Sequence, residues 1–195
     1  MRQLLVIENI SLDGVMQAPG RADEDPRGGF RHGGWAAERL SRDPAAVRAS
    51  IEGQGNTSAL VFGRYTYLDL VGHWLSTAPN PFADILAKTP KYVASTTLTD
   101  PLPHPNSHLL GPDAVESVGR LKEEGSGDLV VLGSGSLVQQ LAAAGLVDSY
   151  QLTILPVVIG SGTRLFVDTF ADLEVVSTLT TSTGITVGSY RVVRP

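Results

Sequence analysis

A chain of 195 residues can bury one substantial apolar core, and a single domain spanning 1–195 is the expectation. Its formal charge of -5, from 15 Lys and Arg against 20 Asp and Glu, gives no basic field for nucleic acid or an anionic membrane surface, so neither is expected as a partner. Cysteine is absent, which excludes disulfides, thiolate metal sites, cysteine nucleophiles and iron–sulfur clusters.

In chain order, the apolar run Leu4–Ile7 is cut by Glu8 and Asn9 before a signal-peptide core develops, and it reads as a first strand. No apolar stretch approaches the ~20 residues needed to cross a bilayer, so a cytoplasmic location is expected. Ser11-Leu12-Asp13-Gly14 follows. Asp13 is the best-placed carboxylate: with partial burial its pKa would rise towards values suited to proton delivery, or it would orient a substrate N–H or hydroxyl. An Asp-Gly turn explains the same pair equally well.

Residues Gln17–Gly34, rich in Gly, Pro and charge, read as a loop. In His32-Gly33-Gly34-Trp35, Trp35 can stack on a planar ring and His32 can titrate near neutrality; the plainer alternative is a helix-entry staple beside a surface histidine. A helix is expected over Ala36–Ile51, a buried strand over Ala59–Phe62 and a helix over Thr66–Val71, with Tyr65, Tyr67 and Trp74 as packing residues. His73–Pro90, with three prolines, reads as a second loop. Tyr92–Ala94 is a strand that ends in the hydroxyls of Ser95 and Thr96, and Pro112–Glu124 a helix. Strand Leu129–Leu132, helix Ser136–Ala144 and strand Tyr150–Leu155 come next. Last, Leu173–Leu179 and Thr186–Val193 form a hairpin through Ser182-Thr183-Gly184. Strands alternating with helices predict an α/β fold with a central, mostly parallel mixed sheet, helices on both faces and a C-terminal antiparallel hairpin. His73, His104 and His108 lack metal-site spacing, so no metal is expected.

Two glycine turns carry the chemistry. Leu129–Leu132 runs into Gly133-Ser134-Gly135-Ser136 and then a helix, the arrangement in which unpaired N–H groups and the positive helix end favour a phosphate. Ser134 or Ser136 can cap that helix. The G-x-G-x-x-G fingerprint is incomplete, since Val138 stands at its sixth position, so an ordinary Rossmann domain is disfavoured. The second turn, Gly63-Arg64-Tyr65-Thr66, puts a planar guanidinium and a hydroxyl after a strand. Ligands of open α/β sheets bind outside the carboxyl ends of strands, so both turns are expected on one edge, gripping a phosphorylated dinucleotide. Gly160-Ser161-Gly162-Thr163-Arg164 reads either as a further phosphate loop or as a structural one.

These motifs, with Phe62–Tyr67 and Leu155–Phe166, resemble the dihydrofolate reductase superfamily over nearly the whole chain, in the branch of the reductase (RibD C-terminal) domain of bacterial riboflavin biosynthesis. The resemblance implies a dihydrofolate-reductase-like three-layer fold, NADPH as hydride donor and homodimerisation. It places NADPH on the two turns, Gly63, Arg64 and Thr66 with Gly133 to Ser136, and puts Leu155, Gly160, Arg164 and Phe166 beside a small heterocyclic substrate, pteridine- or pyrimidine-like. From the residues themselves, Ser95 and Thr96 are cofactor contacts or, equally, polar loop residues, and Asp13, His32 and Trp35 are substrate-side candidates. A reductase resembling the one that acts on 5-amino-6-(5-phosphoribosylamino)uracil is the expected activity, with a non-catalytic nucleotide-binding protein of the same fold as the alternative. Asp13-Gly14 stands where folate-reducing members carry a Pro-Trp pair, which disfavours folate. The His and Cys ligands of a fused zinc deaminase have no counterpart, so a bifunctional enzyme is not expected.

Overall fold

A computed structural model describes residues 1–52 and 55–194. In chain order its elements are β1 (Leu4–Ser11), α1 (Ala37–Ser41), α2 (Pro44–Ile51), β2 (Thr57–Gly63), α3 (Arg64–Thr66), α4 (Gly72–Ser76), α5 (Pro81–Lys88), β3 (Lys91–Ala94), β4 (Ser107–Leu109), α6 (Ala114–Glu123), β5 (Asp128–Leu132), α7 (Gly135–Ala143), β6 (Ser149–Leu155), β7 (Leu173–Thr180) and β8 (Thr186–Val192). The strands follow the order β4-β3-β2-β5-β1-β6-β8-β7 in one eight-stranded mixed sheet. Two compact units make up the chain: Met1–Leu5 with Asn56–Val147, and Val6–Gly55 with Asp148–Pro195. Among the described residues no helix is long and apolar enough to cross a membrane.

In the first unit β5, β2, β3 and β4 pair in parallel. Ala59 to Phe62 are all buried, the continuous apolar run that a strand covered on both faces requires. The segment expected as a loop over 73–90 is instead mostly helical, and its prolines explain why. Pro81 occupies the first turn of α5, where its missing N–H has no intrahelical partner to lose, and the Asn80 side chain accepts the Ala83 N–H at 3.0 Å as the cap. The helix expected over Thr66–Val71 begins earlier, at Arg64, and continues through a widened turn, Tyr67–Val71, into α4. At the other end of α5, fully buried Lys91 donates from Nζ to the carbonyls of Leu86 and Thr89. It thereby satisfies groups that the helix terminus leaves over. Burial pushes its pKa down to about 8.

In the second unit β6 pairs antiparallel with β8 and β8 with β7, the expected hairpin, closed where Gly184 takes φ +83°. The single helix expected over Ala36–Ile51 is two helices, because Asp43 and Pro44 start a new one: Asp43 Oδ1 accepts the Ala46 N–H at 2.9 Å. Its Oδ2 accepts the hydroxyls of Thr181 and Thr183, which ties α2 to the hairpin turn. Ala36, Ala46, Leu155, Ile185 and Val187 form the core there, with Trp35, Leu40, Ala49 and Val157 packed on it.

Candidate functional site

The two glycine turns lie in the first unit and meet directly. Gly63, the last residue of β2, pairs with Ala94, and Val61 pairs with Val131, two residues before Gly133, which follows β5. Arg64, Ser95 and Ser134 therefore all start from the carboxyl edge of one parallel sheet, the edge at which α/β proteins hold ligands. The Gly63 N–H donates to Ser134 Oγ at 2.9 Å, and the Ser134 N–H donates to Thr66 Oγ1 at 2.9 Å. Ser134 Oγ donates in turn to the Leu132 carbonyl at 3.2 Å. Each turn thus holds the other in shape. Gly133 is required by this closeness: it takes φ +59°, and a Cβ there would stand 2.7 Å from Thr66 Cγ2.

The lacing also decides which donors remain. Ser134, in the left-handed region, precedes α7 without a side-chain cap, contrary to the expected serine cap, because its hydroxyl is bonded to Gly63 and Leu132. The N–H groups of Gly135 and Ser136 head a nine-residue helix and carry no hydrogen bond among the described residues. Arg64 forms no ion pair among them; its guanidinium lies 4.4 Å from the centre of the Tyr65 ring, an exposed cation–π stack. Tyr65 is 53% exposed and so serves as a platform for that cation rather than as the packing residue expected. Tyr67 is fully buried, as expected. Ser95 Oγ accepts the N–H groups of Thr97 and Leu98 at 3.1 and 2.9 Å, shaping the turn after β3, and Thr96 is exposed. A cradle with two open helix N–H groups, an available guanidinium and a glycine no side chain can replace fits a phosphorylated nucleotide.

The second unit holds the remaining candidates. Asp13 follows β1, and both of its oxygens are occupied. Oδ1 accepts Ser11 Oγ–H at 2.7 Å and the Ile159 N–H at 3.0 Å; Oδ2 accepts the Gly160 N–H at 2.8 Å and Arg164 Nη2 at 3.2 Å. The N–H of Ile159, then the hydroxyl of Ser11 and the N–H of Gly160, hold the carboxyl well below the usual carboxylate range against the opposing effect of burial, and Arg164 adds a smaller lowering. The expected raised pKa is therefore corrected: these donors lower it instead.

Gln17, which the sequence reading passed over, organises the neighbouring loops. Its buried side chain accepts the Thr163 N–H at 2.9 Å and donates to the carbonyls of Asp25 and Arg27 at 3.0 and 2.9 Å. Its carbonyl takes the Trp35 Nε1–H at 2.8 Å, so the indole is pinned and packs on the core. A polar residue inside Val15-Met16-Gln17-Ala18, all four buried, is the signal that could have revealed it. Phe30 lies against Gly162, where a Cβ would come 2.7 Å from its Cε2, and exposed His32 meets Phe30 edge-on with ring centroids 5.7 Å apart. His32 is thereby joined through Phe30 to the loop that carries Gly160 and Arg164. Leu155 is a fully buried core residue, and Phe166, 39% exposed, meets Tyr150 edge-on at 5.3 Å.

The strand order and C-terminal hairpin define a dihydrofolate-reductase-like α/β fold, a reductase-type scaffold. Dihydrofolate reductase from Enterococcus faecalis, solved with NADP(H) and RAB-propyl, superposes with a TM-score of 0.58 at 16% identity, covering 97% of this chain and 96% of that one. A Shewanella sp. PV-4 protein provisionally assigned to riboflavin biosynthesis superposes with a TM-score of 0.67 at 20% identity, over 98% and 99% of the two chains. A pyrimidine reductase-like protein from Corynebacterium diphtheriae gives 0.61 at 14% identity, over 100% and 93%. The chain belongs to the RibD C-terminal domain family, whose sequence profile matches residues 2–187. Among curated proteins it is 29% identical over 133 residues to the uncharacterised Bacillus subtilis protein YyaP, across 65% of this chain and 69% of that one.

Proposed function

We propose that the chain is an NADPH-dependent reductase of a small pteridine- or pyrimidine-like heterocycle, in the manner of a 5-amino-6-(5-phosphoribosylamino)uracil reductase. The observation that carries this reading is the laced pair of glycine turns, with Arg64 beside them in no ion pair among the described residues. Gly135 and Ser136 offer N–H groups for the pyrophosphate, and Arg64, with Thr66, Ser95 and Thr96 nearby, suits the additional phosphate that distinguishes NADPH from NADH. Bound NADPH supplies a hydride; the protein's task is to position the acceptor and manage its proton.

Fluorescence titration with NADPH and NADH tests the cofactor assignment, and preference for NADPH is the expected result. Arg64→Ala is expected to lower NADPH affinity about tenfold or more, the loss of a charge-assisted hydrogen bond of at least ~1.5 kcal/mol, and to leave NADH nearly unchanged. An unchanged ratio refutes the role given to Arg64. A second reading, a nucleotide-binding protein without catalysis, draws on Asp13, whose oxygens are occupied by its own chain. An NADPH-oxidation screen over dihydropteridines, aminopyrimidines and quinonoid compounds separates the two.

A further inference from the structure

The second unit contains what looks like an anion receptor, and the anion in it is the protein's own. Two successive backbone N–H groups, of Ile159 and Gly160, converge with the Ser11 hydroxyl and Arg164 Nη2 on one carboxylate, that of Asp13. Consecutive amides together with a guanidinium form the kind of concavity that binds a free carboxylate or phosphate. Here Asp13 fills it, 146 to 151 positions from Ile159, Gly160 and Arg164 along the chain.

The surroundings show what the contact holds. Leu12 N–H donates to the Val157 carbonyl, Met16 N–H to Thr163 O and Leu165 N–H to Gly14 O, each at 2.9–3.0 Å. Residues 157–165 are thus stitched to 12–17 at both ends, while Gly160 and Gly162, at φ +80° and +105°, make the stretch between conformationally permissive. Between the stitches, the Asp13 carboxylate accepts from the backbone of Ile159 and Gly160 and the Gln17 amide oxygen from that of Thr163.

We propose that Asp13 is a positioning residue, a built-in anion that fixes the Ile159–Arg164 loop and aims the Arg164 guanidinium, and that this receptor accepts a small free carboxylate once the Asp13 side chain is removed. This deepens the reductase reading, on which only its consequence for turnover rests; the receptor itself is testable with no cofactor present.

The test uses the full-length protein and sodium formate, with sodium chloride at equal ionic strength as control. In Asp13→Ala, tryptic cleavage after Arg164, followed by mass spectrometry, is expected to be several-fold faster than in wild type, and formate is expected to slow it in a saturable way. Formate is expected to have no effect on wild type, whose receptor is filled. Cleavage of Asp13→Ala at the wild-type rate, or acceleration that formate does not reverse, overturns the proposal. If Asp13→Ala does not fold, Asp13→Asn keeps the shape but loses the charge and sets an amide N–H against a donor. Faster cleavage at Arg164 is then expected, and a wild-type rate overturns the idea. In the reductase assay, Asp13→Asn is expected to raise KM for the heterocycle by a larger factor than it lowers kcat, with the pH profile of kcat unmoved; a pH limb that vanishes with the carboxylate would instead make Asp13 a proton donor.

Discussion

The two units handle their polar groups in opposite ways. In the first, hydroxyl and amide groups of the two glycine turns are spent on each other, and a guanidinium without an ion pair and two helix N–H groups without a hydrogen bond remain among the described residues. In the second, the most conspicuous charge, Asp13, is met by hydrogen bonds to both oxygens. Surplus donors suit a region to an anion, as the proposed cofactor reading requires, whereas an anion supplied from within the chain suits a region to holding a shape. The difference teaches that an aspartate at the end of a strand is not by position alone an acid catalyst: its donors decide.

The strongest way to break the comparison is at Gly133. Gly133→Ala is expected to cost several kcal/mol, from about 1–2 kcal/mol for a left-handed non-glycine residue plus the clash of its Cβ with Thr66 Cγ2. Thermal unfolding should show the loss, and NADPH titration should show binding falling with it. Adding Thr66→Ser, which removes the clashing methyl but keeps the hydroxyl that accepts from Ser134, should recover the steric part only. Full stability in the single variant would mean that the turns do not constrain one another.

Charge gives a second contrast, readable by pH. Lys91 is protonated in the unfolded chain up to about pH 10.5 but in the folded one only up to about 8. Between those values the unfolded state binds more protons, so stability rises with pH, on the order of 3 kcal/mol across the window. Asp13 has the opposite history: its folded pKa is depressed, so its contribution is present above the ordinary carboxylate value of about 4 and is lost only as pH falls through the folded value. Denaturant melts of wild type and Lys91→Met from pH 7 to 10.5 check the sign. The stability difference should shift in favour of wild type as pH rises, and a flat difference would mean that the ammonium is not penalised by burial.

Much of this was legible from the chain. Continuous apolar runs such as Ala59–Phe62 announced buried parallel strands, and a glycine directly after two of them announced the turns. The 73–90 helices were misread because proline was counted as a breaker, when Asn80-Pro81 is a start signal. Strand β4 escaped because Ser107-His108-Leu109 is short, mostly polar and sits in a proline-rich stretch. At the site, residue types and neighbourhoods could be read, but protonation could not. Of the groups that set the state of Asp13, only Ser11 is a sequence neighbour; Ile159, Gly160 and Arg164 lie nearly 150 residues away. The Gly63–Ser134 bond likewise spans 71 positions and has no local periodicity to betray it.

The smallest effect is expected at Tyr65, and it tests how far the first unit's surplus cation is prepared in advance. The Arg64 guanidinium rests 4.4 Å from the ring centre, and the ring is 53% exposed, so the stack is worth only ~0.5–1 kcal/mol. A platform of that kind reduces the freedom that a long side chain must give up on gripping a phosphate. Tyr65→Leu is therefore expected to weaken NADPH about twofold to fivefold, to leave NADH unchanged and to add nothing when Arg64 is already alanine. Measured NADPH affinities for the two single variants and the double close that cycle. An additive loss in the double variant would show that Tyr65 touches the nucleotide itself rather than acting through Arg64.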